Sequence, residues 1–400
     1  MPILGNWIDN YVAYVSSASE SPKQFHFWCG ATAIAATLKR NVWFDRVTYK
    51  MYPNLFTVLV GRPGLGKGAA LNPALSLLKE ANTSNVLSDR LTIEYVLEKL
   101  SKGFPHTSIS SAGGFQIGQD TSSLIFSPEL SIFITASTIT LPILADLWDA
   151  REGDFHYGTR HKGEYKIASP CVSLLGGSTQ EWLVDSIPSS AVGGGFTRRV
   201  NFVLGKDKGK PIPWPSVNGS SSIRTDLVDG LRRIALLKGE FTFASDAKPI
   251  FEKYHAESSP KEYDDEATAH YRTAKWAQAV KLATCISASR SNSMVITKQD
   301  FEEATTKIEE VIKDIGYVFR AVGESDLVNA ADKVLTYIER KGYASRQDIL
   351  KANWRHVGTA EVLDVILSTL VQGGFVDTYT QSGVLMYKEK IKPIPQGGTP

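Results

Sequence analysis

The sequence predicts an α/β fold built on a mostly parallel sheet, and three observations carry that reading. Apolar runs of strand length, Asn54–Val60, Ser122–Phe126 and Cys171–Gly177, alternate with stretches of helical periodicity. The first run leads directly into GRPGLGKGAALNPALSLLKEA, which reads as a glycine-rich loop opening a helix. The chain is 400 residues long, 42% hydrophobic and 22% charged, ordinary globular composition with material for about two or three domains.

The elements follow in order. Residues 1–50 form an N-terminal helical segment: two helices and the strand Asn41–Asp45. Ser21 before Pro22 marks the second helix start, a cap residue followed by a proline at the first helical position. Phe25, Trp28, Cys29, Thr32, Ala33 and Ala36 then repeat at helical spacing. Residues 51–210 hold the core. A helix over Thr92–Lys102 leads through a polar, Gly/Ser-rich stretch to the strand Ser122–Phe126, and a helical segment ends at Leu144–Ala150. Phe155–Ile167 alternates about His161-Lys162-Gly163, as a β-hairpin does. After a linker from Lys206 to Ser222, residues 224–322 read as a helical region with Ala279–Arg290 its most buried helix. Residues 326–390 read as a winged helix: helices over Asp326–Lys341, Ser345–Ala352 and Thr359–Gln372, then a wing turning at Ser382-Gly383.

Composition excludes several classes. With 44 Lys+Arg against 42 Asp+Glu, a net charge of +2 argues against a blanket polyanion binder and leaves room for local basic patches. Three separated cysteines, Cys29, Cys171 and Cys285, fit a reducing compartment rather than a disulfide framework or zinc site. No basic region followed by an apolar stretch opens the sequence, and no run approaches the ~20 apolar residues of a membrane span. A soluble cytoplasmic protein with no membrane partner is expected.

The chemistry concentrates around the loop. In Gly61-Arg62-Pro63-Gly64-Leu65-Gly66-Lys67, backbone N–H groups and a helix N-terminus suit nucleotide phosphates, with Lys67 brought up to them; Gly61, Gly64, Gly66, Lys67, Gly68 and Ala69 are the expected contacts. The hydroxyl that usually follows the lysine and meets Mg²⁺ is absent, because Gly68 stands there and Ala69 and Ala70 offer no substitute. Glu129, after the second core strand, stands where a catalytic glutamate orients water, though a strand-end carboxylate facing solvent is the simpler alternative. The usual preceding aspartate is Pro128, and Asp120 lies upstream of the strand. Thr179 or Ser178, at the end of the third strand, is placed to sense a γ-phosphate or simply to open a helix. Arg199, beside Arg198 in GGGFTRRV, suits a finger reaching a neighbouring subunit's nucleotide. Arg160, His161 and Lys162 put basic groups on the hairpin tip, fit for a phosphate backbone or merely a solvated turn. The expected recognition helix of the winged unit carries Glu361 and Asp364 and no Lys or Arg, so protein contact or a capping role is favoured over DNA reading.

Taken together, NWIDNYV, SESPKQFHFW, YPNLFTVLVGRPGLGKG, SPEL, LLGGSTQEWL and GGGFTRRV resemble, in that order, the helicase-like phosphate-loop ATPases of phage and prophage replication modules, across roughly residues 5–320. The hairpin between the acidic and polar-turn strands is also similar to that of the AAA+ clade containing superfamily 3 and minichromosome-maintenance helicases. That resemblance implies an AAA+-like core with a C-terminal winged helix, ATP and Mg²⁺ as cofactors, and a ring oligomer, most simply a hexamer, on single-stranded or forked DNA. It also implies Lys67 as phosphate lysine, Glu129 as catalytic base, Thr179 or Ser178 as sensor and Arg199 acting on the next subunit. An ATP-driven translocase or replicative helicase of a mobile element is the leading expectation. The alternative is a nucleotide-binding initiator or helicase-loader scaffold with weak or no hydrolysis, its winged helix contacting other replication proteins.

Overall fold

The computed structural model describes residues 5–389 apart from 89, 110–114, 135–138, 160–162, 188–190, 192–194, 215–219 and 263. Its centre is a five-stranded, wholly parallel sheet. The strands are β1 (Phe56–Val60), β2 (Val86–Ser88), β3 (Ser122–Ser127), β4 (Cys171–Ser178) and β5 (Val200–Leu204), in the spatial order β5-β1-β4-β3-β2. Every residue of β1, β3, β4 and β5 is buried, as expected for a parallel sheet covered on both faces. The strand reading of all three apolar runs therefore holds.

Helices α1 (Trp7–Ser16), α2 (Lys23–Leu38), α3 (Lys67–Ala81) and α4 (Ile93–Lys102) precede α5 (Thr140–Asp149) and α6 (Gln180–Ser186). Then come α7 (Ser220–Ile234), α8 (Lys248–Ala256), α9 (Glu266–Arg290) and the 44-residue α10 (Lys298–Lys341). From Phe25 to Leu38 every residue of α2 is buried, so this helix is core on all sides. It packs on α1, α3, α9 and the sheet, and Thr32 donates to Trp28 and to Thr57 of β1. The N-terminal helices, the sheet and the helical region, expected as successive segments, thus belong to one compact unit, residues 1–319.

Ser21 does not cap α2. Its hydroxyl donates instead to the Gly66 carbonyl at 2.7 Å, tying the helix start to the glycine-rich loop. The polar stretch after α4 is a hairpin, Phe104–Ile109 with Phe115–Asp120, which its Gly/Ser content disguised. The second hairpin, expected over Phe155–Ile167, pairs Asp154–Thr159 with Gly163–Ala168.

The second unit spans residues 320–400. Within it α11 (Arg346–Val357) and α12 (Ala360–Gln372) accompany an antiparallel sheet of β6 (Tyr343–Ser345), β7 (Val376–Gln381) and β8 (Val384–Glu389), in the order β6-β8-β7. The sequence showed the hairpin but not β6, three residues long. The core of this unit includes Val334, Ile338, Ile349, Leu363, Ile366 and Leu367. Among the described residues no helix is long and apolar enough to cross a membrane.

Strand β5 lies at a sheet edge and is nonetheless buried, because α9 covers it through a polar lock. Asn201 donates to the Phe56 carbonyl and to Gln278, and accepts from the buried Tyr271 hydroxyl at 2.5 Å. Replacing Asn201 with Ala removes the acceptor while leaving the Tyr271 hydroxyl buried. A loss of about 1–3 kcal/mol is expected in urea unfolding, with Tyr271→Phe in the same chain recovering part of it.

Candidate functional site

A parallel sheet puts the C-terminal ends of all its strands on one edge, and that edge gathers the residues expected around a nucleotide. Gly61 follows β1, Pro128-Glu129 follow β3 and Thr179 follows β4. The pairings Val60 with Ser178 and Gly176 with Ser127 bring the three ends level, and the Gly61 amide donates to the Ser178 carbonyl at 3.2 Å. In the loop Gly64 and Gly66 have φ of +80° and +89°, a left-handed backbone that side chains resist. That backbone lets the chain turn sharply into α3, whose first residue is Lys67.

Glycine also sets the distance between the strands' ends. A Cβ at Gly177 would lie 2.8 Å from the Pro128 carbonyl oxygen and 3.7 Å from Lys67 Cβ. Only glycine lets the acidic turn and the start of α3 close this tightly on β4. The paired glycines of LLGGST are therefore packing residues.

The Lys67 ammonium folds back on the loop, donating to the carbonyls of Gly61 at 2.6 Å and Arg62 at 3.4 Å. Burial pulls its pKa below the ordinary lysine value, while the negative charges of Glu129 and Glu181 oppose that shift. Glu129 is exposed at this edge and close enough to Lys67 to act on it. Glu181, in the first turn of α6, is the acidic neighbour that sequence reading passed over as a helix start. Thr179 is the N-cap of α6, its Oγ1 accepting from the Trp182 amide at 3.2 Å, so in this arrangement its hydroxyl serves the helix. Ser178 donates to the Thr179 carbonyl and is buried.

Gly68 and Ala69 are exposed at the start of α3, and a Cβ at Gly68 would meet nothing within 4 Å. Room for a side chain exists there, and no hydroxyl fills it. Asp120 sits at the other end of β3, bound to Lys39 at 2.8 Å and to Asn85, away from the loop. Among the described residues no three His, Cys, Asp or Glu side chains group as metal ligands. The glycine-rich turn and Lys67 stand together at the start of α3, with Glu129 and Glu181 beside them and with Gly68 and Pro128 where a hydroxyl and an aspartate usually meet Mg²⁺.

Arg199 is placed elsewhere. It belongs to the 3₁₀ turn Thr197–Arg199 that precedes β5, hence to the N-terminal edge of the sheet. Its guanidinium donates to both carboxylate oxygens of Asp149, at 2.8 and 3.0 Å, and to the Gly195 carbonyl at 2.6 Å. The pair is intramolecular and mostly buried. Arg198, beside it, is half-buried. The hairpin-tip residues Arg160, His161 and Lys162 lie outside the described residues; the strands leading to them carry the ion pair Lys166–Asp154 and the His156–Glu164 contact.

The chain matches no protein-family model, and no curated protein matches it at a significant level.

The Arg199–Asp149 pair predicts a pH signature. Burial alone would raise the Asp149 pKa, but hydrogen bonds and charge from Arg199, with Arg151 behind it, hold it below the usual carboxylate value. A depressed carboxylate contributes stability above its unfolded pKa of about 4 and loses it as pH falls through the folded value. Arg199→Ala should therefore cost about 3 kcal/mol near neutral pH, the low end for a broken buried pair because Arg151 remains. The gap to wild type should narrow on acidification in urea titrations. Equal stability at neutral pH would show that the pair does not anchor this turn.

Proposed function

We propose that the chain is a phosphate-loop ATPase of the AAA+ kind, an ATP-driven translocase or helicase of a mobile element's replication machinery that works as a ring oligomer on single-stranded or forked DNA. The observation that carries the reading is the shared edge: a glycine-rich loop between a buried strand and a helix, with Lys67 and an exposed Glu129 close enough to influence each other. In this reading the loop's N–H groups and the N-terminus of α3 hold the phosphates. Lys67 exchanges the carbonyls of Gly61 and Arg62 for β/γ-phosphate oxygens, and Glu129 orients the attacking water. Thr179 contributes by fixing α6 and Glu181 beside the lysine.

For the trans role expected of Arg199, the guanidinium would have to leave Asp149, so Arg199 serves first as the residue that sets this turn on its own chain. The helix–strand–helix–helix–strand–strand order of the C-terminal unit supports a winged helix. On its α12, Asp364 is paired with Arg346. With Glu361 acidic as well, that helix suits a replication-protein partner better than DNA.

A second reading, a nucleotide-gated initiator or loader with little hydrolysis, is favoured by Gly68 and Pro128, which leave the loop without metal ligands. ATP turnover with and without single-stranded DNA separates the two. Wild type should turn over ATP faster with DNA, Lys67→Ala should lose ATP binding at the glycine-rich loop, and Glu129→Gln should bind ATP but turn it over about 100-fold more slowly. Nucleotide binding without turnover, with or without DNA, would select the scaffold. Equal nucleotide affinity of wild type and Lys67→Ala would sink both.

DNA engagement has its own test. Replacing Arg160, His161 and Lys162 together with Ala should lower the slope of log affinity against log salt by about one to two units, at ~0.7 per single-strand phosphate contact. An unchanged slope would remove the hairpin from the DNA-binding surface.

A further inference from the structure

On the edge of the sheet opposite the glycine-rich loop lies a cavity of about 620 Å³. That is the size of pockets that hold organic ligands, and far more than a bare phosphate or sulfate fills. Its walls come from the segment before β1, the end of α5, the turn before β5, and α9.

The charges facing this cavity do not balance. Five cationic side chains, Lys50, Arg151, Arg198, Arg199 and Lys281, line it against two acidic ones, Asp149 and Glu152. Arg199 and Arg151 are engaged by Asp149, and Lys50 lies 3.4 Å from Glu152. Arg198 and Lys281 have no carboxylate within ion-pair distance among the described residues. Lys281 is 3% exposed. Its ammonium donates to the Tyr52 carbonyl at 2.8 Å and to Asn54 Oδ1 at 2.6 Å, and lies 4.1 Å from the centre of the Trp148 ring. In its protonated form the ammonium has a third N–H donor and a charge held out of water, which a bound anion would offset. Trp276, half-buried on α9 with Arg46 5.0 Å over its ring and His255 packed against it at 4.8 Å, lines the same cavity. A base there would have to displace the Arg46 side chain or share the ring edge; the exposed Tyr49 adds aromatic surface.

The geometry points to a nucleotide site in this cavity, with a phosphate held by Arg198 and Lys281 and the base against Trp276. Guanidinium and ammonium donors recognise phosphate oxygens, and an indole offers a stacking surface to any base. The bound unit is a free nucleotide or one nucleotide of a single strand. It is separate from whatever the glycine-rich loop holds, because the length of the parallel strands divides the two edges.

A proton is linked to the binding. Burial lowers the Lys281 pKa to about 7; Cys171 from β4, Asp149 from α5 and Cys285 on its own helix oppose the shift, and Arg199 adds to it. A bound phosphate favours the charged lysine, so occupancy raises that pKa and takes up a proton from pH 7 upward. Affinity should weaken as pH rises through this range.

Calorimetry on the full chain carrying Lys67→Ala, which silences the loop, tests the proposal with deoxyadenosine monophosphate, deoxyadenosine and a short oligodeoxyadenylate. The monophosphate should bind at one site per chain, and deoxyadenosine at least tenfold more weakly. Arg198→Ala should cost about tenfold to a hundredfold, the loss expected for a charge-assisted hydrogen bond, with Arg198→Lys recovering part. Trp276→Ala should weaken the monophosphate and deoxyadenosine alike. Lys281→Met should flatten the fall in affinity above pH 7; Arg198→Ala keeps the test open if that buried change prevents folding. An oligonucleotide that competes with the monophosphate identifies a strand as the source, and failure to compete identifies a free nucleotide. Equal affinity for monophosphate and nucleoside, or an Arg198→Ala chain that binds as well as its parent, would overturn the site.

Discussion

The constraint on which the structure depends is the common direction of its five central strands. Because β1 to β5 all run the same way, the sheet has two chemically different edges. At the C-terminal edge the chain leaves each strand into a loop or helix start, where amide N–H groups are free to meet an anion. At the N-terminal edge the chain enters each strand from turns and helix ends, and side chains have to supply the polar partners. Asn54 does so for the Trp148 and Val172 carbonyls, and Arg199 for Asp149 and Gly195. The described candidates of the central sheet, Gly61 to Ala69, Glu129, Thr179 and Arg199, fall on one edge or the other for this reason.

Close packing then decides which residues the edges can use. Gly177 lies so near the Pro128 carbonyl that any side chain there would push the acidic turn away from α3. Ser21, just before α2, ties the start of that largely buried helix to the loop, so a loop rich in glycine is braced from outside.

Much of this was legible in the sequence because it lay in local patterns. Three of the five sheet strands are apolar runs the sequence marks, whereas it does not mark Val86–Ser88, three residues long, or Val200–Leu204, behind a glycine and arginine cluster; the loop between β1 and α3 announces itself by spacing alone. What escaped was long-range. Nothing near Asp149 says that it will meet Arg199 fifty residues later, and that meeting engages the arginine whose sequence context suggested a finger toward a neighbouring subunit's nucleotide. Thr179 reads equally well as a sensor or a cap, and the fold uses its hydroxyl as a cap. The Phe104–Ile109 hairpin hid because glycine and serine mask the alternation that marks a strand. Lys281 did carry a local signal, a lone lysine in the otherwise uncharged stretch AVKLATCISAS, and such a residue reaches a buried partner only when the fold provides carbonyls to receive it.

The distance between the two edges bears on how they could communicate. Lys67 at one edge feels the charges of Glu129 and Glu181, and Arg198 and Lys281 at the other feel that of Asp149, with none of the three cations in an ion pair among the described residues. At about 3.3 Å per residue, five residues of β1 separate the edges by roughly 16 Å. That exceeds the screening length of about 8 Å at physiological salt, so through solvent the charge at one edge is nearly invisible at the other. Mechanical contact is a different matter. Strand β1 passes directly into the loop that Lys67 grips at one end, and begins two residues after Asn54, which receives Lys281, at the other. Buried between β4 and β5, it shifts as a unit or not at all, because close-packed interiors transmit displacement rather than absorb it. A coupling between the edges would have its shortest path along this packed strand.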